Sequence, residues 1–167
     1  MQARAASNSR PEVLHACTVQ KGYKMRAIQQ YGYFINSWQW EWFSHLTCRE
    51  PVSKYTAQKL LLSWIRSLCT TERIQIACIA VVNCMNLTPH WHVLMFGKNM
   101  NGRILLDVSE KRWERKWPGI ARIEVVKGNQ AASHYLAGNI TLWNSDLYEL
   151  FVYNRKLLDK YRRARQD

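Results

Sequence analysis

Pro89-His90-Trp91-His92-Val93-Leu94-Met95-Phe96 is the stretch on which the reading of this chain turns. Valine, leucine and phenylalanine follow the second histidine, so the segment reads as a strand that runs to Gly97. Side chains alternate along a strand, which puts His90 and His92 on one face with Trp91 on the other. Two imidazoles on one face can hold one divalent metal ion, or can stand as satisfied polar groups facing water.

Outward from this strand the chain reads as alternating strands and helices. Upstream, Ile74 to Val82 is rich in β-branched residues and reads as a buried strand. Cys84 to Pro89 supplies a turn, so the two strands form a hairpin. Before them, Ser53 can cap a helix whose apolar face is Ala57, Leu60, Leu61, Trp64, Ile65 and Leu68. Trp38 to Cys48 alternates aromatic and polar residues as a first strand, ended by Pro51.

Downstream, Gly97 to Arg103 reads as a loop and Ser109 to Trp117 as a basic helix stopped by Pro118-Gly119. Ile120 to Val126 is a further strand. Lys127-Gly128-Asn129 turns into a helix that carries Ala131-Ala132-Ser133-His134-Tyr135-Leu136-Ala137. Asn144 can cap a last helix with Leu147, Leu150, Phe151, Leu157, Leu158 and Tyr161 on one face, ending in a basic tail.

The expected fold is α+β, an antiparallel sheet of about five strands with helices packed on its faces. Residues 1–35 are the least readable part, an N-terminal extension in which His15-Ala16-Cys17 is incidental. The expected organisation is that extension, a domain over residues 36–143, and a C-terminal helix with its tail over residues 144–167.

Composition narrows the partners. The 167 residues suit one domain with a sizeable core. The net charge is +12, from 24 Lys and Arg against 12 Asp and Glu, and a chain so basic usually meets a polyanion, most often nucleic acid. Eight Trp and eight Tyr can stack on unpaired bases, although large rings mostly fill cores. The five cysteines are scattered without a Cys-x-x-Cys pair, which disfavours structural zinc and suits reduced thiols.

No run of residues is long and apolar enough for a membrane span, and Met1 to Arg10 lacks the apolar centre of a signal peptide. The expected place is the cytoplasm, or a host cell's cytoplasm or nucleus for a viral protein. No phosphate-binding Gly-x-x-x-x-Gly-Lys loop is present, so ATP is not expected here. Lys111, Arg112, Arg115 and Lys116 fall in one helix and form the expected non-specific DNA surface, with Arg49 as a further phosphate contact.

A metal on a scissile phosphate neutralises the charge that attack builds up, and a tyrosine oxygen can then displace the leaving group and stay bound as phosphotyrosine. Magnesium or manganese suits this chemistry, manganese being more at ease with imidazole. Tyr135, on a helix expected to cross the histidine face, is the candidate nucleophile. His45 reads as a packed or DNA-facing residue rather than a ligand, and His134 as pointing elsewhere on the helix than its neighbour Tyr135.

Three stretches carry a family resemblance. Trp42-Phe43-Ser44-His45-Leu46-Thr47-Cys48-Arg49, Pro89-His90-Trp91-His92 and Ser133-His134-Tyr135-Leu136-Ala137 resemble, in order, the three motifs of the HUH endonucleases. The likeness is greatest to the replication initiators of rolling-circle plasmids and single-stranded DNA viruses. It spans roughly residues 38–143, including the connector Trp117-Pro118-Gly119.

The resemblance implies an HUH-nuclease-like fold and a metal-dependent enzyme that nicks and rejoins single-stranded DNA, as at an origin hairpin. Such an enzyme keeps the 5′-phosphate on Tyr135, and a helicase is an implied partner. The same chemistry would serve a single-tyrosine transposase or relaxase, and the same fold a catalytically weak nucleic-acid-binding module. Two positions depart from the family pattern. Asn83 stands where an acidic third metal ligand is usual, and Gly138 where a lysine usually follows the tyrosine by one turn. Arg122 or Lys127 could take that lysine's place.

Overall fold

The computed structural model describes residues 12–83, 88–98, 100, 103–116, 119–141 and 148–162. In chain order the elements are α1 (Glu12–Ile35), β1 (Trp42–Thr47), α2 (Lys54–Thr71), β2 (Gln75–Asn83), β3 (His90–Lys98), α3 (Arg103–Lys116), β4 (Ala121–Val125), α4 (Asn129–Thr141), β5 (Tyr148–Tyr153) and α5 (Arg155–Lys160). The strands form one sheet in the order β4-β1-β3-β2-β5, with every neighbouring pair antiparallel. The fold is α+β, with helices on both faces of a five-stranded sheet.

Each strand divides its side chains between two apolar layers. On one face Trp42, Leu46, Ile76, Cys78, Ala80, Val82, Trp91, Val93 and Met95 pack against Ala57, Leu61, Trp64, Ile65 and Leu68 of α2 and against Leu106 and Trp113 of α3. Three indoles interlock there: Trp64 and Trp91 each meet Trp113 edge-on, at 5.8 and 5.2 Å between ring centroids. Two of the three polar ends are satisfied, Trp64 Nε1 donating to the Ser109 carbonyl and Trp113 Nε1 to that of Thr47, while the buried Trp91 Nε1 has no hydrogen-bond partner among the described residues. The opposite face buries Ala77, Ile79, Val81, Leu94 and Phe96 beneath Ile35, Leu136, Ala137, Leu157 and Leu158.

Several elements follow the sequence closely. Ser53 caps α2, its side chain accepting from the Thr56 amide, and β2 with β3 forms the hairpin. The Cys84–Pro89 turn and the start of the Trp117-Pro118-Gly119 connector lie largely outside the described residues. Gly119 is described, and a Cβ there would stand 1.8 Å from the Thr47 carbonyl oxygen. The connector thus runs so close to the end of β1 that only glycine fits.

Other elements differ from the sequence reading. The first strand begins at Trp42, because Trp38 and Trp40 turn inward before it and bond the carbonyls of Leu158 and Ile35 through their indole nitrogens. The basic helix begins at Arg103 rather than Ser109.

The C-terminal region is not one helix from Asn144. Tyr148 to Tyr153 alternates and pairs with β2, whose outer edge would otherwise be open. Asn154 then takes a left-handed conformation, φ 56°, and caps the short α5. Asn144, Leu147 and the tail beyond Arg162 lie outside the described residues. The sheet therefore extends past residue 143. The N-terminal stretch, unreadable as sequence, supplies the long helix α1, which packs on α4 with Gly32 against the His134 ring.

Asn129 fixes the start of α4. Its side-chain oxygen accepts from the Trp40 amide, and its nitrogen donates to the Asn36 and Trp38 carbonyls and the Asn36 side chain. Asn129→Ala strands these groups, each costing about 1–3 kcal/mol if left unpaired. The expected outcome is a lower urea midpoint by about 2 kcal/mol or more, and an unchanged midpoint would show that the contacts carry no stability.

Candidate functional site

Strand parity and register decide what meets at the histidine end of the sheet. Across β1 and β3, His45 is the Cα partner of His92 and Thr47 of His90. Across β2 and β3, Asn83 is the partner of His90. All five lie on the face covered by α4, while Trp91 points into the tryptophan layer. The His90 and His92 rings stand 5.6 Å apart between centroids, at nearly a right angle.

Tyr135 reaches the same place from α4. Its ring centroid lies 5.3 Å from His92, 5.6 Å from Phe43 and 6.0 Å from His45. The residues after it, Leu136 and Ala137, are buried in the core, which fixes the helix, yet Tyr135 keeps 49 % of its surface exposed. His134 points away: its Nδ1 bonds the Gln130 carbonyl and its ring meets Tyr33 of α1 edge-on.

Among the described residues, no three His, Cys, Asp or Glu side chains gather as a metal cluster. The donor set at this site is different: two imidazoles and an amide. Asn83 Nδ2 stands 2.9 Å from His90 Nε2. A half-turn of the amide exchanges Nδ2 for Oδ1. Two donors bound at right angles to one ion, with bonds of about 2.1 Å, are about 3 Å apart. As it stands the contact is a hydrogen bond; an ion placed there would be within bonding reach of both side chains, and mixed nitrogen and oxygen donors would suit manganese better than magnesium. His90, His92 and Asn83 are the residues that would hold it.

His45 is packed, the first of the two places the sequence reading allowed it. Its Nδ1 lies 3.0 Å from Nδ1 of His92, so it touches a proposed metal ligand directly. Only the β1–β3 register brings the two together, and no local motif announces it. Glu124, whose strand pairs with β1 on its other side, enters the same neighbourhood.

The basic residues divide between the two sheet faces. Arg122 pairs with Glu124 at 2.5 Å on the exposed surface. With Phe43, His45, Thr47, Ile120 and Tyr135 these two line a cavity of about 550 Å³. Lys127, at the turn before α4, borders an adjoining cleft of about 870 Å³ that shares Phe43, Arg122 and Glu124. Arg49 is exposed just beyond β1. Lys111, Arg115 and Lys116 are exposed on α3, on the other side of the sheet from Tyr135. Arg112 is not a free surface charge, since it bonds the Ser67 carbonyl and the Glu72 carboxylate and ties α3 to α2.

Burial pushes the His92 pKa from 6.5 down to about 4, and the His45 and His90 rings add to the fall. His45 is lowered too, chiefly by burial, with Glu124 pulling it back and Arg122 and His90 pushing it further down. Both rings thus stay neutral with lone pairs in hand. The unfolded chain takes up a proton at the ordinary histidine pKa, whereas buried His92 resists it. Its stabilising effect is complete above pH 6.5 and fades as pH falls toward about 4. The loss is on the order of 3 kcal/mol at most. In metal-free protein, His92→Gln should flatten the decline of the urea midpoint over that interval; equal slopes would contradict it.

The sequence matches no protein-family model and no curated protein. Among solved structures the chain is similar to the crystal structure of the hypothetical protein ORF119 from Sulfolobus islandicus rod-shaped virus 1, at 14% identity and a TM-score of 0.43. The match covers 70% of this chain and 95% of that one.

Proposed function

We propose that this protein is a metal-dependent endonuclease and strand transferase for single-stranded DNA that works through Tyr135. The observation carrying this reading is the half-exposed Tyr135 ring packed 5.3 Å from His92, on the sheet face that also holds His90 and Asn83. It supports the sequence resemblance to HUH replication initiators and would suit the opening of rolling-circle replication.

In the reaction the Tyr135 phenol gives up its proton and its oxygen attacks a backbone phosphorus. A tyrosine–phosphorus bond forms, the bond to the 3′-oxygen breaks, and that oxygen leaves as a hydroxyl after taking a proton. The 5′-phosphate remains on Tyr135, and attack by a 3′-hydroxyl reverses the step and rejoins strands. A bound divalent ion would supply charge neutralisation and orientation of the phosphate. His90, His92 and Asn83 would hold that ion, and the anchored α4 would keep the nucleophile in place. Arg122 and Lys127 line the approach to Tyr135, where the family's lysine is replaced by Gly138.

A second reading, a nucleic-acid-binding module that does not cleave, draws on that glycine and on the engagement of Arg122 by Glu124. Covalent capture separates the two. Incubation with a pool of single-stranded oligonucleotides and manganese should give a protein–DNA adduct on a denaturing gel. Tyr135→Phe removes one oxygen and should abolish the adduct while oligonucleotide binding persists. His90→Ala with His92→Ala should abolish it with the fold intact. Adduct formed by the Phe variant would overturn the assignment of the nucleophile.

Binding itself should weaken with salt as Lys and Arg displace counterions from phosphate. Neutralising Arg122 and Lys127 together should flatten the dependence of oligonucleotide affinity on salt more than neutralising Lys111 and Arg115 does. The reverse order would put the binding surface on α3.

A further inference from the structure

His45 has a role that the metal-and-tyrosine scheme leaves unassigned. It sits on β1 directly across from His92, with the two Nδ1 atoms 3.0 Å apart and the rings perpendicular. That distance is a hydrogen bond, and a hydrogen bond between two neutral imidazoles needs one Nδ1 to carry a proton and the other to accept it. Which ring donates decides which nitrogen of His92 keeps its lone pair. If His92 donates from Nδ1, its Nε2 is left as a bare donor atom. If His45 donates, the proton of His92 sits on Nε2 and blocks it.

The surroundings favour the first arrangement. His45 lines an open cavity together with Arg122, Glu124 and Tyr135, where solvent can accept an Nε2 proton. Glu124 interacts electrostatically with the His45 ring. With its proton on Nε2, the inner Nδ1 of His45 is an acceptor. His92 is only 7 % exposed, and Trp91 and Val93 beside it point to the other face, so His45 is the partner the structure gives its Nδ1. A ligand histidine commonly has its ring fixed by such a bond from the nitrogen that does not bind the ion.

We infer that His45 is a positioning residue that holds His92 as the Nδ1–H tautomer, so that Nε2 of His92 is presented to a divalent ion. The inference rests on the metal-dependent reading above. It adds to that reading a residue of β1 and a chain that runs from the Glu124 side of the cavity through His45 to the ion.

Two measurements test it without DNA or turnover. Long-range proton–nitrogen-15 spectra of the metal-free protein, with assignments from single-histidine variants, report the tautomer of each ring. His92 should show its proton on Nδ1 and His45 on Nε2. Manganese titration followed by electron paramagnetic resonance reports affinity. His45→Phe keeps a ring but accepts no proton, and should weaken manganese binding about 10- to 100-fold. His45→Asn places an amide oxygen near the position of Nδ1, and should restore most of the affinity.

An Nε2–H tautomer of His92 in the wild type overturns the inference, whichever variants fold. Equal manganese affinity in wild type and His45→Phe overturns it as well. Wild-type protein that takes up no manganese overturns the metal reading itself, and is thereby distinct from failure of the role given to His45.

Discussion

The burial of Trp91 is the constraint on which the site depends. Its indole lies between two histidines in sequence and packs edge-on against Trp113 in the layer formed with α2 and α3. A strand that sends Trp91 one way must send His90 and His92 the other. A slip of one residue would exchange them, driving two imidazoles into an apolar layer and an indole out under α4. The apolar packing on one face thus selects the register that assembles the polar cluster on the other. Energetically the site is held in place by residues that never touch it.

From that register the rest of the cluster follows. Asn83 arrives because β2 is the hairpin partner of β3, and His45 because β1 lies on its other side. Tyr135 depends on a different set of contacts. Asn129 pins the start of α4 to the segment before β1, and the bare backbone of Gly32 lets α1 close over the His134 ring. Tyr135 and the imidazoles are therefore anchored separately, one by a helix and its hydrogen-bonded start, the other by the sheet. A separation of this kind allows either half to be perturbed while the other remains formed.

The hairpin, the capped α2, β4 and α4 were legible because each is built from local signals: strand alternation, Ser53 before an apolar stripe, a glycine turn. What was not legible depended on partners distant in the chain. Leu150, Phe151, Leu157 and Leu158 repeat at a helical interval, yet the first two belong to a strand, because β2 needs a neighbour on its outer edge. The helix α1 has no clean stripe, since one of its contacts with α4 is a glycine. His45 reads from sequence as packed or DNA-facing, and only the register of β1 on β3 shows that what it packs against is His92. Arg112 looked like its neighbours Lys111 and Arg115, and only the position of Glu72 across α2 sets it apart.

The strand order also sets how this chain can fold. Only β2 and β3 are neighbours both in sequence and in the sheet; β1 must find β3 and β4 across long stretches of chain, and β5 must return to β2 from the far end. Closing such loops costs entropy before any packing rewards it, which makes assembly slow compared with a bundle of similar size. Until β1 and β5 dock, the hairpin has two open edges lined by Ile79, Val81, Val93 and Leu94, an apolar template for another chain. The interval between hairpin formation and edge closure is then the time when self-association competes with folding.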